Sequence, residues 1–133
     1  MSETVKVQRE LYGNYLAKAE QMLNAMEEAE KRGEWDVCIL MAVHASISAA
    51  DAFCVYNKGE RSGSQRHEEA VNLFISCAPN DPQVKSATRH LSRLLGLKNN
   101  VAYGERMAKA SEAESAMQDA KRLVSFVKER LMK

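Results

Sequence analysis

Three groups of polar residues interrupt the apolar pattern of this chain in ways that could support chemistry. The first is His44, Ser48 and Asp51, inside the run MAVHASISAADAF. On a helix of 3.6 residues per turn they share one face, with His44 and Asp51 about 10.5 Å apart along the axis. That is too far for a direct hydrogen bond, so each needs a partner from another helix. A core histidine satisfied by a neighbouring backbone group or hydroxyl is the commoner outcome for such a position. The second group is Arg61-Ser62-Gly63-Ser64-Gln65-Arg66-His67. An arginine for phosphate, a histidine for proton transfer and small residues between them could form an anion site at a helix start. The same residues also make an ordinary capped turn. The third is Lys98, which falls on the apolar arc of its helix. A lone buried charge is costly, so Lys98 and Asp51 are expected to pair or to share one polar network.

Other chemistries find little support. A carboxylate–histidine metal site on paired helices needs Glu-x-x-His pairs, and the chain contains none. Cys38, Cys54 and Cys77 form no CxxC pair and lie in apolar contexts, which reads as reduced, buried thiols of a cytoplasmic protein. No metal and no cofactor is expected. There is no GxxxxGK[ST] phosphate loop, and no Ser or Cys stands in a nucleophile elbow. The start MSETVKVQRE lacks a signal-peptide core. The central apolar run reads as too short and too rich in Ser and His for a membrane span.

The elements that must position these groups are all helical. Few Gly and Pro, with abundant Ala, Glu, Lys, Leu and Met, favour helix. Leu11, Tyr12, Tyr15, Leu16, Ala19, Met22, Leu23 and Met26 keep a helical period, placing a first helix over residues 9–32 and leaving 1–8 frayed. Lys31, Arg32 and Gly33 close it. A central helix over 34–58, flat with Ala and Ser, ends at Lys58-Gly59. Ser62 or Ser64 could cap a short helix over 65–77 with Val71, Phe74 and Ile75 buried. Asp81 and Pro82 begin the next helix. Its Val84, Ala87, Leu91, Leu94 and Leu95 face the core, while Lys85, Arg89 and Arg93 form a solvated basic stripe. Residues 95–105 read as weakened or kinked, and Ser111 opens the last helix through an S-E-A-E capping box. The expected fold is all-α, an up-and-down bundle of four long helices plus one short inserted helix, with residues 1–133 as one domain. Residues 84–133 carry a net +6 against −3 for 1–36 and −2 for 37–83. That segregation suits a polyanion-binding face or, more simply, two halves of a bundle that attract each other.

The runs AVHASISAADAFCVYNKGERSGSQRHEEAVNLF (42–74) and LLGLKNNVAYG (94–104), followed by an Ala-rich final helix, resemble the HEPN domain (higher eukaryotes and prokaryotes nucleotide-binding). The likeness spans about residues 10–132. It implies a helical bundle that commonly forms homodimers and often works beside a nucleotidyltransferase partner in toxin–antitoxin pairs. Many members are metal-independent ribonucleases with an Arg-x(4–6)-His motif before the final helix. Here that place reads Lys98-Asn99-Asn100-Val101-Ala102-Tyr103. Lysine contacts phosphate without a bidentate fork, and tyrosine is a poor general base at neutral pH. The departure argues against nuclease activity. Arg61 and His67 keep the motif's spacing earlier in the chain, which leaves an endoribonuclease using that pair as one alternative and a purely structural dimer as another. The leading expectation is a non-catalytic protein binding a nucleotide, RNA or a nucleotidyltransferase. Arg61 and Lys98 would contact phosphate, His44, Asp51, His67 and Tyr103 would line the pocket, and Asn99 is a further ligand-binding candidate.

Overall fold

The computed structural model describes residues 3–63 and 66–132, with the backbone alone at 101–103. The order is β1 (Thr4–Lys6), a 3-10 turn (Arg9–Leu11), α1 (Tyr12–Lys31), α2 (Trp35–Lys58), β2 (Glu60–Ser62), α3 (His67–Ser76), α4 (Pro82–Tyr103) and α5 (Ala110–Leu131). Four long helices with α3 inserted between the second and third make the expected all-α bundle.

The central helix is built to be surrounded. Twelve of its 24 residues are buried, including Ala42, Ala45, Ala49, Ala50 and Ala52, and α2 touches all four other helices. Small side chains let the neighbouring backbones come close, while Phe53 fills the middle, its ring 4.9 Å from Phe74 of α3 and 5.8 Å from Phe126 of α5. Trp35–Lys58 is long and apolar enough to cross a membrane by length and composition, contrary to the sequence reading. Most of its apolar stretch is instead buried inside the bundle. Left-handed glycines follow both helices of the α1–α2 hairpin, Gly33 (φ 68°) in the turn after α1 and Gly59 (φ 65°) after α2, where a side chain would be strained.

Three expectations need correction. Residues 4–6 are not frayed, and the chain is not free of strands: β1 pairs antiparallel with β2, Val5 opposite Arg61. Two three-residue strands so far apart in the chain leave no periodic signal. The stretch expected to be weakened over 95–105 is helical through Gly96 to Tyr103, and the helix ends only at Gly104. A mid-helix glycine costs about 1 kcal/mol, and Leu94 on one side and the α3 contact on the other hold the turn in place. Finally, α5 begins at Ala110 rather than Ser111. Glu112 does the capping, accepting from the Lys109 backbone N–H at 2.8 Å while Arg106 grips both its oxygens at 2.8 Å. Those bonds hold the Glu112 carboxyl down at about 2.

The start of α4 is as expected. Asp81 accepts from the Gln83 N–H at 2.8 Å, Pro82 takes the first helical position, and Arg130 of α5 reaches the other Asp81 oxygen at 2.6 Å. Ser62 ends β2 and does not cap α3, which starts after Arg66 with no side-chain cap. Ser64, the other cap candidate, lies outside the described residues.

Candidate functional site

A cavity of about 650 Å³ opens where α2, the end of β2, α3 and α4 meet. Its size lies within the range of roughly 300–1,000 Å³ usual for small-molecule sites. The α2 wall presents Ile47, Ala50, Asp51 and Cys54, one helical face at i, i+3, i+4, i+7. Leu73 of α3 with Leu91 and Leu95 of α4 complete an apolar floor. Polar groups also line it: Ser62, Arg66, His67 and Glu68 from the end of β2 to the start of α3, and Lys98 and Asn99 from α4.

His67 is the best-positioned of these. It is the first residue of α3, half-buried, with Nε2 3.0 Å from Ser92 Oγ of α4. The ring passes beside Gly96, where an added Cβ would lie 3.9 Å from His67 Cε1. The hydroxyl contact fixes the ring plane, leaving Nδ1 as the nitrogen with further bonding capacity.

Asp51 is a strongly perturbed acid on the cavity wall. Burial pushes its carboxyl up to about 7, against the pull of the Arg61 and Lys18 cations. Asp51 and Lys98 thus share a cavity, but the expected pairing is not what tunes the acid: its cations come from β2 and α1. A carboxyl poised near neutrality can accept hydrogen bonds when ionised and donate one when protonated.

Of the residues singled out from sequence, Asp51, His67, Lys98 and Asn99 line this cavity. Arg61 does not. It is the middle residue of β2, with Nη1 3.2 Å from the Ser62 carbonyl, and bears on Asp51 only through its field. His44 is exposed, one turn before Ile47 on α2, so it is neither a satisfied core histidine nor a lining residue. The Tyr103 side chain lies outside the described residues. Arg66, Ser62, Glu68 and Cys54 were not foreseen as lining residues. Arg66 adjoins His67 in the loop already singled out, but motif spacing drew attention to Arg61 instead.

A second polar cluster was missed altogether. Asp119 of α5, only 8% exposed, takes a fork from Arg93 of α4, Nη2 to Oδ1 at 2.6 Å and Nε to Oδ2 at 3.0 Å. His90 Nδ1 lies 2.7 Å from the same Oδ1. Burial alone would raise this carboxyl, but the Arg93 and His90 hydrogen bonds outweigh it and hold Asp119 below the usual carboxylate range. Arg93 is exposed along with Lys85 and Arg89, as expected of the basic stripe, and its guanidinium reaches from there to Asp119. Among the described residues, no group of three or more His, Cys, Asp or Glu side chains is placed to hold a metal.

Comparison with curated proteins gives no match. The model of the HEPN domain matches residues 12–130, from the first residue of α1 almost to the end of α5. Most of the chain is thus covered, including every helix that walls the cavity, and the protein belongs to the HEPN domain family.

Proposed function

We propose that the α2–α3–α4 cavity binds a phosphate-bearing ligand, a nucleotide or a stretch of RNA, and that the chain acts as a binding module rather than a nuclease. The observation that carries this reading is the composition of the cavity's lining: apolar Leu73, Leu91 and Leu95 against which a base could lie, together with the cations Arg66 and Lys98. Family membership points the same way, towards nucleotide- or RNA-related function. Arg66 and Lys98 would neutralise phosphate, and Asn99 would donate to a phosphate or sugar oxygen. The Arg61–His67 nuclease alternative loses ground, since Arg61 lies in β2 outside the cavity that His67 lines.

The working assembly proposed is a cytoplasmic homodimer, with a nucleotidyltransferase as the partner of a toxin–antitoxin pair. Sedimentation of the purified chain, alone and with the product of a neighbouring nucleotidyltransferase gene, tests both points.

Ligand binding is tested with ribonucleotides and short single-stranded RNA in EDTA. Arg66→Ala and Lys98→Ala should each weaken binding about tenfold, the cost of one charge-assisted contact of roughly 1.5 kcal/mol. Arg61→Ala should matter less, and the RNA should remain intact. Cleavage abolished by His67→Ala would instead establish the nuclease, and undiminished binding in both cavity variants would overturn the site.

A further inference from the structure

Asp51 is at odds with the cations that share its cavity. Arg66 and Lys98 suit a phosphate, whereas a carboxylate repels one, so Asp51 must serve another part of a phosphate-bearing ligand. Its carboxyl also lacks a protein partner. Among the described residues no hydrogen bond or ion pair reaches it, although the residue is half-buried on the cavity wall. No buried side-chain oxygen among those residues is without a partner, so both Asp51 oxygens open onto free space. Glu68, the other acid of the lining, differs: its side chain is 80% exposed and lies 3.8 Å from Arg66 Nη2. What else borders the space near Asp51 is apolar, with Ile47 and Ala50 from α2 and Leu91 and Leu95 from α4. Such a lining suits the face of a flat ring, and the carboxylate suits its edge. On α4, Leu91, Leu95 and Lys98 fall at i, i+4 and i+7, so apolar contact and cation follow one another along a single face.

The pattern of acceptors then selects the ring. An ionised carboxylate only accepts, and it offers two oxygens side by side. The matching base edge carries two adjacent N–H donors. Guanine has that edge, its N1–H beside the N2 amino group, whereas adenine, cytosine and uracil each set an acceptor next to the donor. We propose that Asp51 is the base-specificity residue of the cavity, its two carboxylate oxygens accepting from guanine N1–H and N2–H. This rests on the phosphate-bearing ligand proposed above and adds the identity of its base. Burial pushes the Asp51 carboxyl up to about 7, against the Arg61 and Lys18 cations, and guanine's donors require its ionised form. Guanine selectivity is therefore present above neutrality and lost as pH falls through that value. Arg66, His67, Glu68, Lys98 and Cys54 border the same cavity, but they act on guanine and adenine nucleotides alike. The ratio of the two affinities isolates Asp51.

The test is calorimetric titration of the full chain with GMP, IMP and AMP. At pH 8, GMP should bind about tenfold tighter than AMP, the value of one charge-assisted hydrogen bond, with IMP between them because it keeps N1–H and lacks the amino group. At pH 6 the GMP-to-AMP ratio should be about tenfold smaller than at pH 8. Asp51→Asn, which keeps the side chain's shape, should erase the preference. The same order is expected for UUGUU over UUAUU RNA, and the tighter of the two guanine ligands identifies mononucleotide or RNA as the source of the base. Equal affinity for GMP and AMP, a preference for AMP, or a GMP preference that survives Asp51→Asn would overturn the assignment and leave the phosphate site standing. Failure of every nucleotide and RNA to bind would overturn the site and the assignment together.

Discussion

Asp51 and Asp119 are both carboxyl groups drawn out of water within one helical bundle, yet their titration moves in opposite directions. Asp119 is met by the Arg93 fork and by His90, and is held below the usual carboxylate range. Asp51 sits on a cavity wall with its cations at a distance, and burial carries it up to about 7. Desolvation acts on both, and the difference is whether the fold supplies matched donors. Where it does, the cluster is a closed tie between α4 and α5. Where it does not, the fold holds an under-matched acid at the edge of a ligand-sized space, the signature of a site rather than a brace.

The contrast can be broken at either end. Asp119→Ala should have the largest effect, destabilising the protein by about 2–3 kcal/mol in urea unfolding. Breaking a buried pair costs roughly 3–5 kcal/mol, and the exposure of Arg93 reduces that. Asp51→Asn should do the reverse. The folded state binds the Asp51 proton more tightly than the unfolded chain does, so its ionisation costs stability as pH rises from about 4 to about 7. At pH 8 the asparagine variant should therefore be more stable than wild type, by about 1–2 kcal/mol, and at pH 4 nearly equal to it. Asp119 has the opposite sign. Its contribution is full above the ordinary carboxylate range and is lost as pH falls through its lowered folded value.

Two smaller changes sharpen the comparison. Gly96→Ala should stabilise α4 by about 0.5–1 kcal/mol, because the new methyl meets His67 at ordinary contact distance. It would also take space from the cavity, so thermal stability and ligand affinity should move in opposite directions. Arg89→Ala should change stability by less than about 0.5 kcal/mol, as expected of an exposed residue. A comparable loss from Arg89→Ala and Arg93→Ala would mean that the Asp119 fork contributes little.

The difference between the two clusters also tracks what could be read from the chain. Helices, their glycine ends and the Asp81–Pro82 start are written in local patterns, and they were legible. Asp51 and Lys98 were legible because each breaks an apolar face, and His67 because it stands in a loop of unusual composition. The Asp119 tie was not, since its partners lie 26 and 29 residues away and each looks like a routine surface charge on its own helix. The β1–β2 pair joins residues more than 50 positions apart with three residues a side, too little to leave a period. Arg61 keeps the motif spacing to His67 and so stands out in the chain, yet Arg66 lines the cavity and Arg61, in the middle of β2, does not.

The central claim is that the cavity beside Asp51 is the ligand site and that the Asp119 cluster is not. Amide chemical-shift mapping during a nucleotide titration tests it most directly. The account predicts saturable shifts confined to the Ile47–Cys54 face of α2, the start of α3 and the Leu95–Asn99 turn of α4, with Arg93 and Asp119 unmoved. Shifts centred on Arg93 and Asp119, or none at millimolar nucleotide, would contradict it.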